Sequence, residues 1–241
     1  MKDDMPAERE TTDDTPEMTA AQDSSKYTVN TVEDVIKRLP RYFTVSVASK
    51  RNSGKTVLVS ELIKRLLAMK KVDMVVVMSG SAHLNDDYDF LPKKLVMPFS
   101  ERVLKNVWAL QEKKLPKDRP HILFVLDDCL ATPEAVRNTT VAQYYSLGRH
   151  VQCSFIVISQ HTSVLLTPII KGNSDIILWS KLNRAQLWNM WESTVNITRK
   201  DFVHLSETLG GIHYQFMLLD NHTHSTNPAD FLDVIKAKPP S

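Results

Sequence analysis

Cysteine is scarce in this chain, two residues among 241, and glycine is little commoner at six. Cys129 and Cys153 cannot supply a disulfide framework or a cysteine-based zinc site. Each falls in or at the end of an apolar run expected to be a buried strand, so both are expected to be reduced core residues. No run approaches the ~18 to 20 apolar residues that would span a bilayer, which excludes a membrane-spanning helix. The first residues, Met1-Lys2-Asp3-Asp4, are acidic and carry no apolar stretch, so neither a secretory signal nor an Arg-rich transit peptide is expected. The expected compartment is cytosolic or nuclear, with no membrane partner.

What is present is an ordinary globular composition, 42% hydrophobic and 24% charged. The chain is long enough for one large domain with a full core. The net charge of +2 is unevenly placed: residues 1–26 hold three basic against eight acidic residues, a net −5, which leaves +7 on the remainder. That first segment is rich in Asp, Glu, Thr, Ser and Pro and buries too little apolar surface to offset the entropy of ordering. The expected organisation is a disordered acidic tail over 1–26 and a single folded domain over 27–241. A basic body of this size attracts phosphate polymers, although many proteins with a similar excess never meet nucleic acid.

Thr31 followed by Asp34 is a helix-start pattern, with Val32, Val35, Ile36 and Leu39 as the apolar face before Pro40. From Phe43 onward, short apolar runs alternate with helical periodicity. The runs are Phe43–Val47, Met74–Met78, Ile122–Leu126, Phe155–Ile158, Ile176–Trp179 and Tyr214–Leu219. The helical stretches are Lys55–Met69, Ser100–Leu115, Val141–Leu147, Arg184–Trp191 and Lys200–Leu209. Near-continuous apolar strands between helices predict an α/β fold, a mostly parallel central sheet covered on both faces.

The first run leads into Ser49-Lys50-Arg51-Asn52-Ser53-Gly54-Lys55-Thr56 and then directly into a helix. A Gly-Lys-Ser/Thr tripeptide arises by chance in about one chain in ten of this length, but its strand–loop–helix setting is more specific. A phosphate loop needs inward N–H groups at a helix start, a glycine where the main chain meets phosphate, a lysine for the β/γ oxygens and a hydroxyl for Mg²⁺. Ser49, Asn52, Ser53, Gly54, Lys55 and Thr56 are therefore the candidate nucleotide residues, with ATP and Mg²⁺ as ligands. Ser49 stands where the usual pattern begins with glycine, and Asn52 is suited to a positive φ in its place. The competing reading is an accidental Gly-Lys-Thr at a helix start.

Such a loop demands an apolar strand ending in an acid for the metal shell. Ile122-Leu123-Phe124-Val125-Leu126-Asp127-Asp128 meets the demand, with Asp127 for Mg²⁺ and Asp128 to polarise water, provided the strand ends between them. Gln160 closes a later strand, where its amide can sense the γ-phosphate or the water. Arg149 follows Gly148 in an expected loop, from which a guanidinium can reach a neighbouring subunit's nucleotide; the alternative is a surface salt bridge.

Gly148-Arg149-His150, then Phe155-Ile156-Val157-Ile158-Ser159-Gln160, then Ile169-Ile170-Lys171-Gly172-Asn173 and Asp175-Ile176-Ile177 resemble the FtsK/HerA superfamily of P-loop motors. Within it the chain is similar to the poxvirus-type genome-packaging ATPases of large DNA viruses, virophages and related elements, over roughly residues 42–219. The resemblance implies an ATP-driven homo-oligomeric ring that moves double-stranded DNA into a capsid, with capsid proteins as partners. The host cytoplasm or nucleus, in a virus factory, is the implied location, with the virion as a further one. By position it implies nucleotide and metal roles for Lys55 and Thr56, the metal carboxylate for Asp127, the catalytic base for Asp128, the sensor for Gln160 and a trans-acting finger for Arg149. Relatives usually carry a glycine-rich loop where this chain has Ser49, Lys50, Arg51 and Asn52.

Other signals are weaker. Lys93, Lys94, Lys105, Lys113, Lys114, Lys117 and Arg119 surround the Ile122–Leu126 run and fit either a DNA channel or a solvated helix face. His222 and His224 lack metal-ligand companions and read as a polar loop. Trp179, Trp188 and Trp191 fit core or subunit contacts. Asn138 and Asn196 head glycosylation patterns that have no meaning without secretion. Two rival functions remain at this level: a P-loop kinase of small molecules, although residues 161–167 contain no lid arginine, and a nucleotide-binding assembly scaffold without turnover.

Overall fold

The computed structural model describes residues 27, 29–81, 86–129, 138–165, 167–192, 197–223, 225 and 227–238. The expected tail over 1–26, Asn196 and His224 lie outside them. Among the described residues nine strands form one sheet: β1 (Val29–Asn30), β2 (Thr44–Ser49), β3 (Met74–Ser79), β4 (Val96–Met97), β5 (Ile122–Asp127), β6 (Cys153–Ser159), β7 (Ile176–Ser180), β8 (Gln215–Asp220) and β9 (Leu232–Lys236). Their order is β1-β9-β8-β7-β2-β6-β5-β3-β4. Every pairing is parallel except those of β8 with β7 and β9. All six expected runs are strands, so the sheet is mostly parallel as the sequence implies.

The helices are α1 (Val32–Arg38), α2 (Lys55–Ala68), α3 (Glu101–Lys113), α4 (Thr139–Leu147), α5 (Thr162–Leu165), α6 (Pro168–Asn173), α7 (Arg184–Trp191), α8 (Arg199–Thr208) and α9 (Pro228–Phe231). Strand side chains alternate between faces, and this divides the core in two. Val45, Val47, Leu123, Val125, Ile156 and Ile158 face one way and meet Ile36 of α1 with Leu58, Leu62 and Leu66 of α2. Phe124, Leu126, Phe155, Val157 and Trp179 face the other way, against Leu104 of α3, Tyr144 of α4, Leu187 of α7 and Phe202 of α8. Each fully buried Leu, Ile or Phe contributes about 1.5 to 3 kcal/mol, so both faces of the sheet are held by burial.

Local chemistry starts the helices where the sequence indicates. Thr31 and Asp34 form a reciprocal capping box on α1, and Asn183 with Gln186 forms another on α7. Trp179 is core: its ring stacks on Phe202 with centroids 5.3 Å apart, and its indole N–H donates to Ser206 Oγ at 3.1 Å. Trp191 donates to the Ile197 carbonyl at 2.8 Å, whereas Trp188 is half exposed beneath the Arg199 guanidinium, 3.5 Å from its ring centroid. Both cysteines are buried, unpaired thiols, and burial pushes each up to about 12.

The parallel register levels the carboxyl ends of three central strands. Ala48 pairs with Ser159 across β2 and β6, and Asp127 pairs with Ile158 across β5 and β6. Ser49, Asp127 and Gln160 therefore reach the same edge of the sheet.

Candidate functional site

At that edge the chain leaves β2 and turns into α2. Asn52 takes φ 58° and Gly54 takes φ 95°, both left-handed. This is the region that glycine adopts freely and asparagine tolerates better than other side chains. Gly54 is the residue before α2, no side chain caps that helix, and its first turn holds no acid. The helix therefore presents open N–H groups and an unneutralised positive end, the arrangement that binds phosphate.

The structure also accounts for Ser49. It is the last residue of β2, fully buried and outside the left-handed region, so glycine's freedom is not needed there. Its hydroxyl donates to the Ser180 carbonyl at 2.9 Å and is hydrogen-bonded to the Ser53 hydroxyl. The serines tie the loop to β7 and across its own turn, while Lys50, Arg51 and Asn52 stay exposed.

Lys55 is buried, with its Nζ 2.9 Å from Asp128 Oδ2. Gln160 Nε2 donates to the same carboxylate oxygen at 2.8 Å. Asp128 has φ 50°, so the strand stops at Asp127 and the next side chain is not forced to the opposite face. This is the strand end that two adjacent functional acids require. Asp128 is anchored by its N–H, which donates to the Ile158 carbonyl at 3.0 Å.

Asp127 is only 7% exposed, and Tyr88 Oη donates to its Oδ2 at 2.8 Å. Burial pushes this carboxyl from 3.8 up to about 6; the negative charges of Asp128 and Asp87 add to the rise, while the Tyr88 hydrogen bond and Lys55 oppose it. The Tyr88 phenol is raised well above 10, first by burial and then by the charge of Asp127. A carboxylate held in this way gains from a nearby divalent cation. Among the described residues no group of three or more His, Cys, Asp or Glu side chains is placed to hold a metal ion. Mg²⁺ binds through one or two protein oxygens plus waters and phosphate. Asp127 and the half-buried hydroxyl residue Thr56, in the first turn of α2, fit such a shell.

Arg149 is placed differently. It lies exposed in the 3₁₀ turn Gly148–Val151 ahead of β6, whereas Gln160 follows that strand. Seven residues of strand put roughly 20 Å between them, so Arg149 does not join its own chain's site. It lines a cavity of about 230 Å³ at the amino ends of the strands, with Tyr145, Asp175 and His222. That cavity is remote from Lys55, and the acid–lysine–amide cluster defines the candidate site instead. His222 is in polar contact, its Nε2 2.7 Å from Asp175 Oδ1.

The basic residues differ in their partners. Lys105 is 2.9 Å from Glu101, and Arg119 donates to the carbonyls of Lys114, His150 and Glu112. Lys113, Lys114 and Lys117 are exposed at the end of α3, on the amino side of β5, while Lys93 and Lys94 are exposed ahead of β4. Three residues with no sequence motif join the site's surroundings. Besides Tyr88, Gln186 Nε2 donates to the Gln160 carbonyl at 2.9 Å, and the Tyr214 ring packs on Gly54.

No protein-family model matches the chain, and no curated protein matches it. Solved structures do. The genome-packaging NTPase B204 of Sulfolobus turreted icosahedral virus 2, in complex with AMPPCP, aligns with a TM-score of 0.57 at 15% identity, over 83% of this chain and 100% of B204. The chain shares the fold of that NTPase. The pCW3 conjugation coupling protein TcpA, with ATPγS, aligns at 0.55 and 14% identity over 82% of this chain and 60% of TcpA. The cytoplasmic domain of the Thermomonospora curvata type VII secretion ATPase EccC aligns at 0.58 and 12% identity, over 83% of this chain and 24% of EccC. At these identities the likeness is one of fold.

Proposed function

We propose that the protein is an ATP-hydrolysing motor that works as a homo-oligomeric ring and moves double-stranded DNA into a viral capsid. The observation that carries the reading is the convergence of Lys55, Asp128 and Gln160 beside an uncapped helix start, with Asp127 buried at the same strand end. Lys55 has three N–H donors, so it keeps donors for phosphate oxygens while bonded to Asp128. Asp128 is the acceptor for the proton of the attacking water, and Gln160 fixes the orientation of that carboxylate. Thr56 and Asp127 would hold Mg²⁺, which would supply charge neutralisation at the phosphates when bound. Arg149, exposed at the opposite edge of the sheet, serves a neighbouring subunit's nucleotide, and a head-to-tail contact that closes on itself makes a ring.

The packaging role draws on the fold shared with B204, a viral genome-packaging NTPase, and on the sequence resemblance to packaging ATPases. Capsid proteins are the implied partners, and the host cytoplasm or nucleus, with the virion, the implied location. Phosphate release measured with and without double-stranded DNA tests the reading. DNA-stimulated release supports the motor, nucleotide binding without turnover would favour a scaffold, and transfer to a metabolite but not to water would favour a kinase.

A further inference from the structure

We propose that Tyr214 and His213 form the seat of the nucleobase, stacking it beside the phosphate loop; the inference rests on the nucleotide reading above. The sheet order is β8-β7-β2-β6-β5 around the loop-bearing strand. Lys55 meets Asp128, whose carboxylate Gln160 also holds, on the β6–β5 side, where the reacting phosphate belongs. The nucleoside end of an extended triphosphate points away from that side, toward β7 and β8.

An aromatic pair stands there. Tyr214 immediately precedes β8, and its ring lies so close to the loop that a side chain on Gly54 would meet Tyr214 Cδ1 at 2.5 Å. The His213 ring is 4.0 Å from the Tyr214 ring, centroid to centroid. His213 is exposed and Tyr214 half-buried, so the pair is open to a ligand. Lys181 Nζ lies 3.0 Å from His213 Nδ1 and steadies that ring. Tyr214 and Lys181 both hold left-handed backbone, φ 61° and 52°, and the Tyr214 carbonyl is pinned by the Ala237 N–H at 2.9 Å. Left-handed backbone at a bulky residue is strained, and such strain collects at functional sites. Stacking on aromatic rings accepts a base through its π face.

Titrating the full chain with Mg-ATP and, separately, with inorganic triphosphate tests the assignment, because the second ligand has phosphates and no base. His213→Ala and Tyr214→Ala should each weaken ATP about 10-fold or more and change inorganic triphosphate less than about twofold, with Tyr214→Phe close to the parent. Equal losses for both ligands would overturn the proposal and make Tyr214 a brace for the loop. Unchanged ATP binding in both alanine variants would also overturn it, and His213, being exposed, can be replaced without disturbing the core. Lys55→Ala should weaken both ligands, and a parent protein that binds neither would overturn the phosphate-loop reading together with the base seat.

Discussion

Replacing Asp127 by asparagine should make the nucleotide-free protein more stable at neutral pH while removing metal-dependent binding. Burial raises the carboxyl from 3.8 to about 6. Above pH 6 the side chain is ionised in both folded and unfolded chains, and the folded state carries the full cost of holding that charge. Below 3.8 both forms are protonated and the cost is gone. Each pH unit of displacement is worth about 1.4 kcal/mol, so the strain is on the order of 3 kcal/mol at pH 7.5 and roughly half that at pH 5. Asparagine keeps an oxygen to accept the Tyr88 hydrogen bond and carries no charge. Urea unfolding of parent and Asp127→Asn protein at the two pH values reads the difference. The variant should gain about 3 kcal/mol at pH 7.5 and about half as much at pH 5. Saturating Mg-ATP should then stabilise the parent, by about 2.7 kcal/mol at 100 times its Kd, and leave the variant nearly unmoved. A variant no more stable than the parent, or a gain that does not shrink on acidification, would refute the reasoning.

Other outcomes follow from the same geometry. Arg149→Ala should leave nucleotide affinity near the parent value and slow phosphate release by roughly 10³-fold, and the defect should vanish at protein concentrations where the chain is monomeric. Removal of residues 1–26 should leave basal hydrolysis intact, and a large loss would show that the segment belongs to the fold. His121 is buried against Ser154 Oγ at 2.7 Å, and burial, with the Arg41 charge, holds its pKa below 6.5. The unfolded chain therefore binds the proton more readily than the folded one, so stability should fall as pH drops from 6.5 toward the folded pKa. His121→Gln should flatten that slope in unfolding titrations.

The strands that carry the site are readable from the sequence because each is a near-continuous apolar run, the mark of a strand covered on both faces. The parts that escape such reading are short or partnered at long range. β1 and β4 are two residues each, too brief for any periodicity, and β9 interrupts its apolar pattern with Asp233. Helices α5, α6 and α9 span only four to six residues. At the site, Lys55, Thr56, Asp127 and Asp128 follow from a motif and a strand end, and Gln160 from its place after an apolar strand. Tyr88 lies 39 positions from Asp127, and Tyr214 lies far along the chain from Gly54, so neither contact leaves a local trace. Ser49 shows the opposite case: read as a defect in a glycine pattern, it proves to be a strand residue whose hydroxyl secures the loop.

The function proposed above needs a nucleoside triphosphate held where Lys55 enters α2 beside Asp127 and Asp128. Calorimetric titration of the full chain with ATP, with and without Mg²⁺, alongside Lys55→Ala, tests it most directly. The parent should show one saturable, magnesium-dependent site, and the variant should lose it. Equal binding by both proteins would place the nucleotide elsewhere.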